Sequence, residues 1–298
     1  MIQNKELSVS NSPKRKFQVS NGHYFEADHL AQILNTIKIN SKEVINLSFI
    51  ESDTGLPFRQ IRNRISVGRA LGLFDGISLK LSPFGTLVSE YDLFIGQKET
   101  LEYMHYCASS NYTNLIWYEL FNTVFSDNKP MNYNELTIFF RHILEGQFTD
   151  KSLKDHLAKE LRFLIDLYLE KKFIKLELVY KDISERIYRV RYSKFTPLIL
   201  TAMLYDFCEK RDTNLYQIEE LTLTSGSPAV VFGVDSVTFR QEIEKLHDLG
   251  WLRYETTHGL DQIRLKPGYT SLEFLKSFYE DRDPKVTEPG KSVLGELF

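Results

Sequence analysis

Residues 54–74 combine a high density of arginine with a lack of acidic side chains. This segment contains four arginines and no aspartate or glutamate, so its formal charge is +4 in a chain whose net charge is −3. Guanidinium groups pair with phosphates and with guanine edges, and asparagine pairs with adenine. These residue types therefore predict a surface that contacts nucleic acid.

A helix would present these side chains on one face, and residues 57–71 have the amphipathic pattern. Pro57 stands at the first helical position, and Phe58, Ile61 and Ile65 recur at spacings of three and four, which predicts the side that faces the core. We therefore expect the groups suited to bases and phosphates on the opposite side. They are Arg59, Asn63 and Ser66, flanked by Arg62 and Arg64, with Lys80 near phosphate on a following strand.

Residues 171–194 form a second basic segment. It carries eight lysines and arginines against three acidic residues, a balance of +5, and its arginines Arg186, Arg189 and Arg191 are interleaved with tyrosines. This composition suits a hairpin that follows a phosphate backbone or stacks on single-stranded bases. It also suits a hairpin that simply has one polar face, and the sequence leaves both interpretations open.

Catalytic signatures are sparse. The sequence contains no phosphate-binding glycine loop and none of the usual zinc-protease or serine-hydrolase motifs. Glu170 and Lys172 have the carboxylate–x–lysine spacing of some nucleases, without an evident aspartate partner before them. A second cluster is suited to metal binding or acid–base catalysis, although capping and surface roles are the expected ones. It comprises His23, Glu26, Asp28 and His29.

The composition is that of an ordinary folded protein. It is 42% hydrophobic, 26% charged and 13% aromatic, which excludes collagen-like, low-complexity and largely disordered chains. Cys107 and Cys208 stand apart, so we expect reduced core residues and neither a disulfide framework nor a structural zinc site. No apolar run is long enough to span a membrane and the first residues lack the pattern of a signal peptide, which predicts a cytoplasmic protein without a membrane partner.

One supersecondary pattern appears three times: one or two helices, a longer amphipathic helix, and two short strands joined by a polar turn. This outline predicts a mainly α (α+β) fold built from tandem winged helix-turn-helix domains. The predicted helices are 27–38, 41–51, 57–71, 132–145, 149–171, 197–209, 215–221 and 236–249, and the predicted strands are 77–81, 173–179, 186–192, 251–256 and 262–266. The predicted boundaries are a flexible basic arm (1–16), an N-terminal winged-helix domain (17–96), a central helical or winged-helix domain (97–195), a C-terminal winged-helix domain (196–280) and a tail (281–298).

An aromatic group over residues 103–125 has helical spacing and predicts core packing. It comprises Tyr103, Tyr106, Tyr112, Trp117, Tyr118, Phe121 and Phe125.

Several segments together carry a family resemblance, and the strongest are residues 100–106 and 117–122. The others are 22–25, 54–63, 71–73 and 81–85. They resemble the bacterial domain-of-unknown-function family 4007 over about residues 17–275. Members look like components of phage-defence gene clusters, and the SspB component of DNA phosphorothioation systems is similar.

The resemblance implies a DNA-binding subunit beside the enzymes that install sulfur in the DNA backbone, with DNA and the other subunits as partners. It also implies strand nicking, and a divalent cation would be a cofactor in that case only. Arg62 matches the family pattern, whereas no catalytic residue is carried over. A winged-helix transcription regulator and a protein–protein adaptor without catalytic activity are the alternatives, and a homo-oligomer is left open.

Overall fold

The computed structural model describes residues 14–20, 22, 25–41, 45–76, 78–126, 129–192, 194–256 and 261–286. Helices dominate this part of the chain, and the strands form two small antiparallel sheets. The predicted mainly α (α+β) class is therefore confirmed. The α-helices are α1 (Ala27–Ile39), α2 (Leu47–Thr54), α3 (Phe58–Ala70), α4 (Pro83–Tyr91), α5 (Lys98–Ser110), α6 (Leu115–Glu119), α7 (Tyr133–Leu144), α8 (Asp150–Leu169), α9 (Pro197–Glu209), α10 (Ile218–Leu223), α11 (Pro228–Phe232), α12 (Ser236–Asp248) and α13 (Ser271–Tyr279). A π-helical turn spans Leu120–Val124, a 3-10 turn spans Lys172–Leu176, and the strands are β1 (Val179–Lys181), β2 (Ile187–Arg189), β3 (Leu215–Gln217), β4 (Leu252–Glu255) and β5 (Gln262–Leu265).

The predicted strand over 77–81 is wrong for residues 78–81, where the described chain forms a single antiparallel bridge, between Phe74 and Leu81; residue 77 lies outside the described residues. Helix α4 follows, which the sequence pattern did not predict. Its start has a clear local cause, since the Ser82 side chain accepts a hydrogen bond from the backbone N–H of Gly85 and a proline occupies the first turn. Gly85 is required here, because a Cβ at this position would lie 2.0 Å from the carbonyl oxygen of Leu73.

The central hairpin is shorter than predicted. The strand expected over 173–179 does not begin at 173, because residues 172–176 form the 3-10 turn and Glu177 follows with a φ of 53°, which interrupts an extended path. Strand β1 then pairs with β2 so that Tyr180 faces Tyr188. The hairpin itself is confirmed, but its first strand lies further toward the C-terminus than predicted.

The C-terminal segment agrees well with the sequence pattern. Helix α9 has the predicted bounds, and α12 ends within one residue of them. The predicted helix over 215–221 is wrong at its start, where β3 joins β5 and β4 in a sheet of order β3-β5-β4. Residues 257–260, the predicted hairpin turn, lie outside the described residues.

Helix α5 lies at the centre of the core and packs against α6, α9, α11 and the 3-10 turn. The predicted core role of the aromatic group is confirmed for Tyr103, Tyr106, Trp117, Phe121 and Phe125, which are buried. It is wrong for Tyr112, which is 45% exposed and carries the guanidinium of Arg15 over its ring. The buried hydrophobic residues form one continuous cluster through the described chain.

Both cysteines are free thiols; Cys208 is buried in the core, as predicted, whereas Cys107 is partly buried against it. Burial raises the pKa of Cys107 and of Cys208 to about 12, so neither is a reactive thiolate near neutral pH. None of the described helices is long and apolar enough to cross a membrane.

Candidate nucleic-acid interface

The short connection between α2 and α3 sets the direction of the arginine-rich helix. Gly55 ends α2 in the left-handed region with a φ of 69°. The side chain of Glu51 then accepts a hydrogen bond from the backbone N–H of Phe58 at 3.0 Å. Pro57 stands just before α3 instead of at its first position. Glu51 of α2 thus caps the start of α3 directly.

Two of the three residues of α3 that the spacing places toward the core are buried. Ile61 and Ile65 are buried, with exposed fractions of 0% and 2%. Phe58 is 41% exposed, so its predicted core position is wrong. It stands in the first turn of the helix and borders a groove beside it.

This groove, which we call the α3 groove, has a volume of about 840 Å³ and lies between α2, α3 and the 74–81 turn. Three of its lining residues are arginines and none is acidic. Its polar lining therefore favours an anionic ligand. The lining comprises Leu47, Phe58, Arg59, Arg62, Asn63, Ile65, Ser66, Arg69 and Leu79.

Four of the residues predicted for nucleic-acid contact thus line one concave surface: Arg59, Arg62, Asn63 and Ser66. Arg59 and Arg62 are exposed, and neither forms a hydrogen bond or ion pair with any described residue. Their charges are therefore available to a ligand.

Arg69 belongs to the same surface and was not assigned to it from sequence. Its guanidinium donates a hydrogen bond to the carbonyl oxygen of Ser78 at 3.3 Å, which ties the 74–81 turn to α3. Burial lowers the pKa of Arg69. The signal was present in the spacing, since residue 69 follows Arg62 by seven positions and Ser66 by three on a helix.

Asn63 and Arg64 differ from the sequence expectation of an exposed pair. Their exposed fractions are 4% and 5%. Asn63 still lines the groove, whereas Arg64 does not. Burial lowers the pKa of Arg64, and the nearby carboxylate of Glu26 opposes that shift. Lys80 is exposed on the 74–81 turn, where its carbonyl oxygen accepts a hydrogen bond from Asp75.

The arginines of the central hairpin bind other parts of the chain. Arg186 forms an ion pair with Glu135 at 2.6 Å, and Arg191 forms one with Asp235. Arg189 donates to two carbonyl oxygens, of Phe121 at 2.9 Å and of Val230 at 2.8 Å.

Arg189 is the most enclosed of these three. Burial lowers its pKa to about 10. Gly233, with a φ of 67°, allows the close approach of this side chain, since a Cβ there would lie 2.5 Å from Nε of Arg189. The guanidinium therefore joins the π-helical turn to α11.

The two sets of catalytic candidates partly meet. Glu26 and Asp28, at the start of α1, share a cleft of about 420 Å³ with Glu170 and Lys172. His29 is not part of this lining, and His23 lies outside the described residues. Within the described ranges, no group of three or more histidine, cysteine, aspartate or glutamate side chains is placed to hold a metal ion.

A buried polar network accounts for the residues that carry the family resemblance most strongly. His105 contacts the hydroxyl of Tyr168 through Nδ1 at 2.6 Å and the carbonyl oxygen of Val231 through Nε2 at 3.1 Å. Burial lowers the pKa of His105 to about 3, so the ring is neutral, Nε2 carries the proton and Nδ1 accepts from Tyr168. Trp117 donates to the same hydroxyl at 2.9 Å. These residues stabilise the core, and they line neither the α3 groove nor the cleft at the start of α1.

Fold and surface together define a mainly helical α+β protein with a basic groove beside its third helix. The family described as "Protein of unknown function (DUF4007)" matches residues 76–279, and the chain belongs to this family. The chain is also similar to two solved structures, described as "Magnesium ion-bound SspB crystal structure" and "SspB crystal structure". Their TM-scores are 0.69 and 0.68, their sequence identities 13% and 14%, and each similarity covers 89% of this chain and 88% of the other. At this identity the likeness concerns the fold alone. No curated protein matches the chain.

Proposed function

We propose that this protein is a DNA-binding subunit of a bacterial DNA phosphorothioation or related phage-defence system, and that the α3 groove contacts the DNA. The observation that carries the proposal is the groove itself, with exposed Arg59 and Arg62 and no acidic lining residue. The resemblance to the family and the shared fold with SspB favour this kind of system over an isolated regulator.

Tandem winged helices form part of the same proposal. Residues 197–265 run helix, strand, helices and hairpin with the sheet order β3-β5-β4, which agrees with a winged-helix outline. Helices α1 to α3 and the Phe74–Leu81 bridge form a reduced version of that outline. We retain the predicted domain boundaries at residues 17–96, 97–195 and 196–280 for this interpretation.

The test is DNA affinity measured across salt concentrations for Arg59→Ala/Arg62→Ala. The slope of log K against log salt is negative, and each lost phosphate contact makes it less steep by roughly 0.7–0.9. We expect weaker binding and a slope shallower by about 1–2. Arg141→Ala/Arg253→Ala removes two exposed charges away from α3 and is the matched control. Equal binding by the two double variants would reject the groove as the DNA site.

The central hairpin provides a second comparison. Arg186 and Arg191 were predicted to contact nucleic acid, yet each would have to leave an ion pair to do so. We expect Arg186→Ala/Arg191→Ala to weaken DNA binding less than the α3 double variant. The reverse order would move the DNA site to the hairpin.

DNA nicking is a second candidate function. It is favoured by the cleft that Glu26, Asp28, Glu170 and Lys172 all line, and by the magnesium ion of one SspB structure. Supercoiled plasmid incubated with Mg²⁺, Mn²⁺ or EDTA separates this function from binding. Metal-dependent open circle that is lost in Asp28→Asn and Glu170→Gln would support it, and intact plasmid under both ions would reject it. If the protein neither shifts the plasmid in a gel nor nicks it, the adaptor alternative is favoured.

A further inference from the structure

The shape of the α3 groove restricts the form of DNA that can reach its floor. An α-helix of about 10–12 Å diameter fills a major groove about 12 Å wide, so a duplex meets the outer face of such a helix and not a recess beside it. The α3 groove is such a recess, because Leu47 of α2 and Leu79 of the 74–81 turn line it together with α3. Asn63, the side chain suited to reading a base, is only 4% exposed at its floor.

The groove has the features of a site for one nucleotide. Its volume of about 840 Å³ lies within the usual range of roughly 300–1,000 Å³ for small-molecule pockets. Phe58 is 41% exposed at its border and offers an aromatic face. Arg59 and Arg62 supply positive charge for the phosphates, and Leu47, Ile65 and Leu79 supply apolar walls.

We propose that the α3 groove receives an unstacked nucleotide, with its base against Phe58 and its phosphates at Arg59 and Arg62. This inference rests on the proposed DNA-binding function and specifies the form of DNA. The nucleotide comes either from a single strand or from an unpaired position in a duplex, and both have the same chemistry at the groove.

The test compares three DNAs of about 16 nucleotides, a length at the upper end of single-strand binding sites. They are a single strand, its intact duplex, and a duplex with one unpaired 2-aminopurine nucleotide. The variant is Phe58→Leu, which removes the aromatic face of an exposed side chain and keeps its apolar character. Phe94→Leu is the matched control, because Phe94 is 62% exposed on the loop between α4 and α5.

Stacking on an aromatic side chain is strong enough that Phe58→Leu should weaken single-strand binding about tenfold. We expect the bulged duplex to show the same loss, the 2-aminopurine fluorescence to change on binding to the wild-type protein only, and the intact duplex to be unaffected. If Phe58→Leu weakens binding of the single strand only, the nucleotide comes from single strands. If it also weakens binding of the bulged duplex, unpaired positions in a duplex supply the nucleotide as well.

Equal loss for intact duplex and single strand, or no loss for either, would overturn the inference. The Arg59→Ala/Arg62→Ala variant separates this failure from failure of the proposed function. If that variant weakens binding while Phe58→Leu does not, only the nucleotide site is rejected. If neither variant changes affinity for any of the three DNAs, the groove is not the DNA site.

Discussion

The arginines of this chain occupy two environments, and the environment determines what each side chain can bind. Arg59 and Arg62 are exposed in the α3 groove, whereas Arg189 is held by the carbonyl oxygens of Phe121 and Val230. A guanidinium held in this way would have to give up two hydrogen bonds before binding a phosphate. The same residue type therefore contributes to a surface in one place and to stability in the other.

Replacement of Arg189 should accordingly affect stability. Arg189→Ala leaves two carbonyl oxygens without their charged donor, and hydrogen bonds to charged groups contribute about 1.5–3 kcal/mol each at most sites. For two such bonds we expect a loss of roughly 3–6 kcal/mol in the free energy of unfolding, measured by urea denaturation. Arg191→Ala is the control, since an exposed ion pair contributes about 0–1 kcal/mol. Similar losses for the two variants would contradict this role for Arg189.

Glu102 gives a pH dependence that can be assigned to one residue. Burial raises the pKa of its carboxyl to about 7. Hydrogen bonds from Tyr192 and from the backbone N–H of Thr196 oppose this rise because they stabilise the carboxylate. The unfolded chain releases this proton near the usual value of 4.5. The protonated carboxyl thus stabilises the fold below that value, and the contribution is lost as the pH rises to about 7.

Glu102→Gln keeps a neutral side chain of the same shape and removes this titration. We therefore expect the melting temperature of the variant to rise relative to wild type between pH 5 and pH 8. The difference between the two proteins is the quantity to measure, because His105 contributes an opposite slope below its usual pKa of 6.5 in both. A difference that is constant with pH would contradict the raised pKa of Glu102.

At the scale of elements, polar contacts connect helices that are distant in sequence. The hydroxyl of Tyr168 in α8 joins His105 of α5 and Trp117 of α6, and His105 in turn contacts α11. Glu160 of α8 is buried and accepts hydrogen bonds from the backbone N–H groups of Val19 and Ser20. Helix α8 therefore holds both the centre of the core and the described N-terminal segment.

Tyr168→Phe tests the network without changing the size of the ring. It leaves the indole N–H of Trp117 and Nδ1 of His105 without their shared partner in a dry site, although Ser109 lies 3.3 Å from Nδ1. A buried unsatisfied polar group costs about 1–3 kcal/mol, so we expect a loss in this range by urea denaturation. Tyr180→Phe, on an exposed tyrosine of β1, should change stability little. Equal stability of both variants would show that the network contributes nothing.

At the scale of the whole molecule, the predicted domains share extensive contacts. Tyr279 of α13 stacks on Tyr91 of α4 with ring centroids 5.7 Å apart, and its hydroxyl lies 2.7 Å from Oγ1 of Thr100. The C-terminal and N-terminal segments thus meet directly, and the buried residues are continuous between them. This arrangement favours cooperative folding of the described chain as one unit.

We therefore predict a single unfolding transition. Far-UV circular dichroism and tryptophan fluorescence, which reports Trp117 and Trp251 in different segments, should give coincident thermal curves. Two separated transitions would instead support independently folding domains at 17–96, 97–195 and 196–280.

Local patterns in the sequence determined the helical class, the bounds of α9, most of α8 and α12, and the concentration of arginine on α3. Each depends on spacing, capping or composition within a short stretch of chain, so it can be read without knowledge of the fold. These patterns did not predict the exposure of Phe58, Asn63 and Arg64 correctly, because it depends on what packs beside α3. Only the tertiary structure decided that α2, α3 and the 74–81 turn enclose a groove, and that Arg189 binds carbonyl oxygens 68 and 41 residues away. The physical reason is that burial and side-chain partners arise from contacts between distant segments, which periodicity within one segment does not encode.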